Sequence, residues 1–280
     1  MSARRVVPAF GVVMATLLVG APRAGAQEPG PPLAIADNSF LIEEAYNQER
    51  GVVQHINAFQ RARGADSWVY TFTQEWPVLS QKHQLSLTVP VQRVRNVVSA
   101  ATGLGDVALN YRYQLAGTER WAVAPRLSLL LPTGRAALGL GAGGSGVQLN
   151  LPVSASLARS LVTHWNAGAT VTPSARNALG HEATTTGYNL GASAIWLARP
   201  AFNVLVEVAW ARTATVTGPG ATASEHGLSI NPGIRWAHNF SSGLQIVPGI
   251  AFPIGVGPSK GEDALLLYLS FEHPFRKDGR

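Results

Sequence analysis

From Asp106 to Gln114 the side chains alternate: Val107, Leu109, Tyr111 and Tyr113 fall on one face, while Ala108, Asn110, Arg112 and Gln114 fall on the other. Successive side chains of a strand point to opposite sides, so a period of two predicts a strand with one apolar and one polar face. The same test picks out Trp68, Tyr70 and Phe72 against Thr71 and Thr73, then Leu85, Leu87 and Val89 against Gln84, Ser86 and Thr88. Further along it finds Val147, Leu149, Leu151 and Val153 against Gln148, Asn150 and Ser154, and Phe202, Val204, Val206 and Val208 against Asn203 and Glu207. With weaker stretches included, strands are expected near 51–60, 67–76, 82–92, 105–115, 119–131, 145–157, 160–172, 186–198, 201–213, 226–237, 243–254 and 263–275.

The connections between these segments take turns in length. Leu115 to Glu119, Ala158 to Ser160, Ala198 to Pro200 and His238 to Gly243 are short. Arg93 to Gly103, Pro132 to Gly144, Pro173 to Thr185, Thr213 to Glu225 and Gly255 to Glu262 are long and rich in Gly, Ala, Ser and Thr. Short periplasmic turns alternating with longer external loops are the habit of outer-membrane barrels, which also carry an even number of strands of roughly ten residues.

Composition narrows the class. Charged residues make up 14% of the 280-residue chain, against about a quarter in water-soluble domains. Beyond the N-terminal leader, no apolar run reaches the roughly 20 residues that a spanning helix needs. Low charge without a long apolar run fits an all-β, closed antiparallel transmembrane β-barrel of about 12 strands, whose outside meets lipid. A soluble β-sandwich is the alternative. Trp68, Trp76, Trp121, Trp165, Trp196, Trp210 and Trp236 mostly fall near strand ends or on the apolar face, where a barrel places aromatic girdles.

Met1 to Ala26 pairs Arg4 and Arg5 with an apolar run and closes on Ala24-Gly25-Ala26, the three-part build of a secretory signal. The expected organisation is therefore a signal peptide at 1–26, an N-terminal segment at 27–50, a barrel at 51–275 and a short tail at 276–280. Residues 27–50 are open to three readings: a helix or turn in the periplasmic mouth, an internal plug, or a loose arm. Of the net charge of +6, three units belong to arginines of the signal. The remaining cations are scattered without interleaved stacking aromatics, which argues against nucleic acid as a partner. The chain has no cysteine, so neither disulfides nor Cys-ligated metals enter the argument.

Several stretches resemble a known family: Asp37 to Glu49 (DNSFLIEEAYNQE), Gly51 to His55 (GVVQH), Gly103 to Val107 (GLGDV), Leu131 to Gly134 (LPTG) and Gly146 to Ser154 (GVQLNLPVS). These are similar to the outer-membrane transporters grouped with the MetA-pathway of phenol degradation proteins, and the likeness spans most of the chain after the signal. The resemblance implies an outer-membrane barrel associated with uptake of hydrophobic or aromatic compounds, and it brings no catalytic or binding residues with it. Phe275 fills the place of the final-strand aromatic at which the barrel-assembly machinery recognises such chains, although five residues follow it here.

If the apolar faces meet lipid, the opposite positions line the lumen: Asn110, Arg112, Arg126, Gln148, Asn150, His164, Asn166, Asn189, Asn203, Glu207, Asn231, Arg235, Gln245 and Glu272. Such an amide-rich wall either forms a narrow aqueous path for small neutral or weakly anionic solutes, or bonds to itself and plugs the barrel. Arg112 and Arg126 fall on adjacent expected strands and repel unless carboxylates or water compensate. Glu207 and Arg235, also on neighbouring strands, are expected to pair, because a buried charge without a partner is costly. No histidine sits in the His-x-Ser pairing of outer-membrane phospholipases, and none has the His-x-x-x-His spacing of a metal site. The expectation is an outer-membrane channel or transporter for small molecules, not an enzyme, with no cofactor or metal. Its partners would be outer-membrane lipid, the assembly machinery and the solute. The rival is a closed structural or adhesive barrel acting through external loops.

Overall fold

The computed structural model describes residues 35, 39–95, 100–240 and 244–274. The signal at 1–26, Phe275 and the tail at 276–280 lie outside the described residues. Twelve strands follow one another: β1 (Val52–Ala62), β2 (Trp68–Val78), β3 (Ser80–Arg95), β4 (Ala100–Leu104, continued by Val107–Tyr113), β5 (Trp121–Val123, continued by Arg126–Leu131) and β6 (Gly146–Ala158). The second half comprises β7 (Leu161–Arg176), β8 (Glu182–Arg199), β9 (Phe202–Gly218), β10 (Ala221–Trp236), β11 (Gln245–Ala251, continued by Ile254–Gly255) and β12 (Ala264–Pro274). Each strand pairs antiparallel with its neighbours in sequence, and β1 pairs with β12 from Val52↔Pro274 to Ala62↔Ala264. That last ladder closes the sheet. A closed sheet has no free edge, which is what a chain crossing hydrocarbon without helices requires.

The alternation decides which face meets lipid. Leu109, Leu127, Leu129, Val147, Leu149, Leu151, Leu190, Val206, Val208, Leu267 and Leu269 are exposed on the outside and form one contiguous belt. A belt of that extent is untenable in water and stable in a bilayer. With the end holding both chain termini taken as periplasmic, Trp76, Trp121, Trp196 and Trp236 ring that end of the wall. Their rings thus sit where apolar body and polar edge are both satisfied.

Five strands run farther than the alternation indicates. β3, β7, β8, β9 and β10 have 16, 16, 18, 17 and 16 residues, while about 9–11 suffice to cross the bilayer. Within the expected 93–103 loop, 93–95 and 100–103 are paired strand. The stretches at 173–176, 182–185, 213–218 and 221–225, expected as loops, are instead paired strand that rises beyond the membrane. Above the lipid no face has to be apolar, so the small polar residues there lose the period-two signature without losing the ladder. The connections left at the external end, 177–181 and 219–220, are tight.

Candidate functional site

The inner face of the barrel is packed against a segment of its own chain. Ile35 donates its N–H to the Pro200 carbonyl at the periplasmic turn between β8 and β9 (2.8 Å). Residues 39–49 then pass inside the wall, and Tyr46 returns to the periplasmic rim, where its hydroxyl donates to the Thr118 carbonyl (2.9 Å). Ser39, Phe40, Ile42, Glu43, Glu44, Ala45, Asn47 and Gln48 are all buried. An irregular segment inside a membrane barrel must find partners for its backbone among the wall side chains, and it does so at two principal anchors.

At the first anchor, one oxygen of the Glu207 carboxylate (β9) accepts three consecutive backbone N–H groups, from Phe40 (2.9 Å), Leu41 (2.7 Å) and Ile42 (3.1 Å). Its other oxygen accepts from Asn231 Nδ2 on β10 (2.5 Å). Converging amides stabilise an anion through their dipoles, so the carboxylate is held without a cation. The expected Glu207–Arg235 pair is therefore not what forms. In the register Glu207 stands opposite Asn231, and Arg235 stands opposite Asn203. The Arg235 guanidinium lies 6.0 Å from the centre of the Phe40 ring.

The second anchor has the opposite polarity. Arg112 (β4) and Arg126 (β5) face each other across their ladder, and Glu43 of the inserted segment compensates both. Arg126 Nε stands 3.0 Å from each Glu43 oxygen, and Arg112 Nη1 stands 3.6 Å from Oε1. Arg126 also donates to Asn110 Oδ1 (3.1 Å), Gln148 Oε1 (3.0 Å) and Ser128. Asn150 Nδ2 donates to Glu43 Oε2 (2.5 Å). The Asn166 amide accepts the Glu43 N–H (2.7 Å) and donates to the Glu43 carbonyl (2.8 Å), as a peptide neighbour would. Arg112 closes the return leg, donating to Asn47 Oδ1 (2.8 Å) and to the carbonyls of Glu44 (2.9 Å) and Tyr46 (2.8 Å).

Five of the wall residues read from the sequence thus bond the inserted segment, Arg112, Arg126, Asn150, Asn166 and Glu207, while Asn110 and Gln148 brace Arg126. Asn203 and Arg235 are also buried on the inner face, away from Glu43. Glu272 accepts from Gln54 Nε2 (2.8 Å) across the β1–β12 seam. Arg112, Arg126, Asn203, Glu207 and Arg235 are each at most 2% exposed. Segment and wall thus cover one another's charged groups at mid-barrel.

The sequence reading missed the apolar part of this interior. Ile56, Ile195, Leu205, Ala209, Ala251, Leu266 and Tyr268 point inward and form one cluster with Phe40, Leu41 and Ile42. Phe40 meets Tyr268 edge-on, with ring centres 5.5 Å apart. The approach depends on absent side chains: a Cβ at Gly249 would stand 2.6 Å from the Phe40 ring, and one at Gly191 would overlap Ile42. Glu75 was also missed, and Gln84, read on the polar face of its strand, is a further lumen residue. They bond each other (2.8 Å), and Gln84 accepts the Gln48 N–H (2.7 Å). Glu75 shares parity with Thr71 and Thr73, which was the available signal. A Ser–His contact appears as well, Ser154 Oγ to His164 Nδ1 at 2.7 Å. Both are fully buried, and the hydroxyl accepts the Ala45 N–H (2.8 Å), so the pair seats the segment.

At the external end the 132–145 loop folds inward. Asp106 accepts from Gly134 N (2.9 Å) and Ala142 N (2.6 Å), and Gln92 Nε2 donates to the Leu140 carbonyl (2.8 Å). Leu140 is 1% exposed. The GLGD and LPTG stretches thereby meet as a structural clasp.

No protein-family model matches the chain, and no curated protein matches it. Among solved structures, the COG4313 outer membrane channel from Pseudomonas putida F1 is 14% identical with a TM-score of 0.60, over 82% of this chain and 97% of that one. The NanC porin is 7% identical with a TM-score of 0.49, over 78% of this chain and 98% of that one. At these identities the first likeness establishes the fold. The chain shares that closed β-barrel fold, in keeping with its lipid-facing belt.

Proposed function

We propose that this protein is a non-enzymatic outer-membrane channel for small molecules, exported by cleavage of the 1–26 signal and closed at rest by residues 39–49. The observation that carries the reading is the seating of that segment by polar wall side chains, Glu207, Arg126, Arg112, Asn166 and Ser154. Each of those groups can take water as its partner when the segment withdraws. A permanent core would sooner be built from apolar packing, since a buried ion pair is no more stabilising than the hydrophobic residues that could replace it.

The solute class follows from what withdrawal uncovers. Removing Phe40 and Ile42 leaves Ile56, Ile195, Leu205, Leu266 and Tyr268 as an apolar patch in an otherwise polar passage. Such a patch favours small apolar or aromatic solutes, in agreement with the MetA-pathway resemblance. The rival, a closed barrel acting through its external loops, draws on the same buried interior, but two of those connections, 177–181 and 219–220, are tight, and the longer 132–145 loop is folded inward on Asp106 and Gln92.

Planar-bilayer recording tests the reading. The wild type should conduct in rare, small steps. Glu43→Gln should open more often, and phenol should block its current at concentrations where glucose does not. Silence in both proteins would favour the closed barrel, and equal block by the two solutes would remove the aromatic preference.

A further inference from the structure

A second feature lies on the outer surface, at the external end of β1, β2 and β3. Arg61 pairs with Trp68, and Trp68 pairs with Arg93, so the three side chains form a level row on the lipid-facing side. Two residues beyond Arg93 stands Arg95, and two beyond Arg61 stands Arg63. Arg61, Arg63 and Arg95 are exposed. Arg93 holds the Asp66 carboxylate in a fork, through Nε (2.9 Å) and Nη2 (2.7 Å). The Arg93 hydrogen bond keeps the Asp66 carboxyl below its ordinary range, and Arg93, Arg95 and Arg61 add their field. Asp66 is thus committed to Arg93, and Asp263, whose carbonyl accepts the Arg63 N–H (2.7 Å) and whose carboxylate accepts the Gly255 N–H (3.3 Å), is the other acid beside the four guanidinium groups.

Beneath the row the wall changes chemistry. Phe59 is paired with both Tyr70 and Leu267, one step along β1 and β2 from the arginines. Together with Asn57, Leu269 and Tyr268 these residues line a shallow groove of about 140 Å³. The Phe59 and Trp68 rings, 5.8 Å apart, join groove to row. From Arg61 to the Phe59 level is two residues, about 7 Å of strand. The arrangement is therefore a cationic headgroup layer above an apolar slot, on a surface that faces the external leaflet.

We propose that this row and groove bind a bisphosphorylated glycolipid of the external leaflet, with phosphates on the arginines and an acyl chain along Phe59, Tyr70 and Leu267. Charge complementarity selects an anion, and planar guanidinium groups suit phosphate oxygens. Two cationic poles, Arg61 with Arg63 and Arg93 with Arg95, flank Trp68 two strand spacings apart, about 10 Å. That separation favours a ligand with two anionic groups over one with a single phosphate. The groove beneath favours a lipid over a soluble phosphate. The inference rests on outer-membrane placement with periplasmic termini, and is independent of whether the barrel conducts.

The test is native mass spectrometry of the detergent-purified mature protein titrated with diphosphoryl lipid A. One lipid should bind, with the monophosphoryl form about fivefold weaker. The triple variant Arg61→Ala, Arg63→Ala, Arg95→Ala should lose on the order of 100-fold, about fivefold for each cation removed. The matching triple Lys variant should keep most of the affinity, and Leu267→Trp, which fills the groove without changing charge, should weaken binding. Heat-modifiable gel mobility checks that each variant is folded. Equal binding of both lipid forms by the wild type overturns the proposal without any variant. So does binding unchanged by the Ala substitutions, or inorganic pyrophosphate that binds as tightly as the lipid.

Discussion

At Glu207 the wall supplies the charge and the inserted segment supplies three backbone N–H groups, whereas at Glu43 the segment supplies the charge and the wall supplies two guanidinium groups. The first anchor reads backbone, so it would accept almost any residues at 40–42, and the side chains there are chosen instead by the pockets that receive Phe40 and Ile42. The second anchor reads one side chain, and without Glu43 the facing pair Arg112 and Arg126 has no carboxylate of the segment between them. Two fastenings of opposite polarity make the seated position specific. A segment shifted so that Ile42 takes the place of Glu43 leaves the arginines without that carboxylate even if Glu207 still finds amides.

Breaking the anchors should release the segment in a definite order, read as open probability in planar bilayers, with heat-modifiable mobility showing that the barrel survives. Glu207→Ala should have the largest effect. It strands three segment N–H groups and Asn231, at roughly 1–3 kcal/mol for each unsatisfied group, and should leave the channel open most of the time. Glu43→Gln comes next, because breaking a buried ion pair costs about 3–5 kcal/mol. Combining it with Glu207→Ala should add little, since either alone frees the segment. Phe40→Ala, with an expected cost of about 3 kcal/mol for an emptied aromatic site, should open the channel less, and phenol block should persist because the wall patch is intact. Ser154→Ala should cost about 1 kcal/mol and change open probability severalfold at most. A reversal in which Ser154→Ala exceeds Glu207→Ala would contradict the two-anchor account.

The outer wall was legible in the sequence because lipid imposes a strict rule on it. Every second residue from Val107 to Tyr113 or from Val147 to Val153 has to be apolar, and a period of two follows. The inner wall obeys no such rule. Its positions were found by parity, which places Arg112, Arg126 and Glu207, but parity does not say what fills the space between them. The partners come from residues 39–49, which have no period because each is fitted to a different strand. Charge parity alone predicts a Glu207–Arg235 pair, but backbone amides and Asn231 hold the Glu207 carboxylate instead. Ile56, Ile195 and Tyr268 break the polar-inside pattern because their partners are the apolar side chains of the segment, which no period marks. The strand extensions at 213–218 and 221–225 were lost for a related reason: above the bilayer both faces are wet, so Thr and Ala alternate with nothing to mark them.

One measurement addresses the segment as gate most directly. Ser39 Oγ and Ser193 Oγ lie 2.7 Å apart, joining the segment to β8, and the chain contains no cysteine. Ser39→Cys with Ser193→Cys, placed in the Glu43→Gln background, should form a disulfide that ties the segment in its seat. Oxidised, this protein should be silent in a planar bilayer, and a reducing agent added during the recording should restore the frequent openings of Glu43→Gln. Undiminished current through the oxidised, fully cross-linked protein would mean that solutes pass without moving residues 39–49, and the gate would have to be sought elsewhere in the barrel.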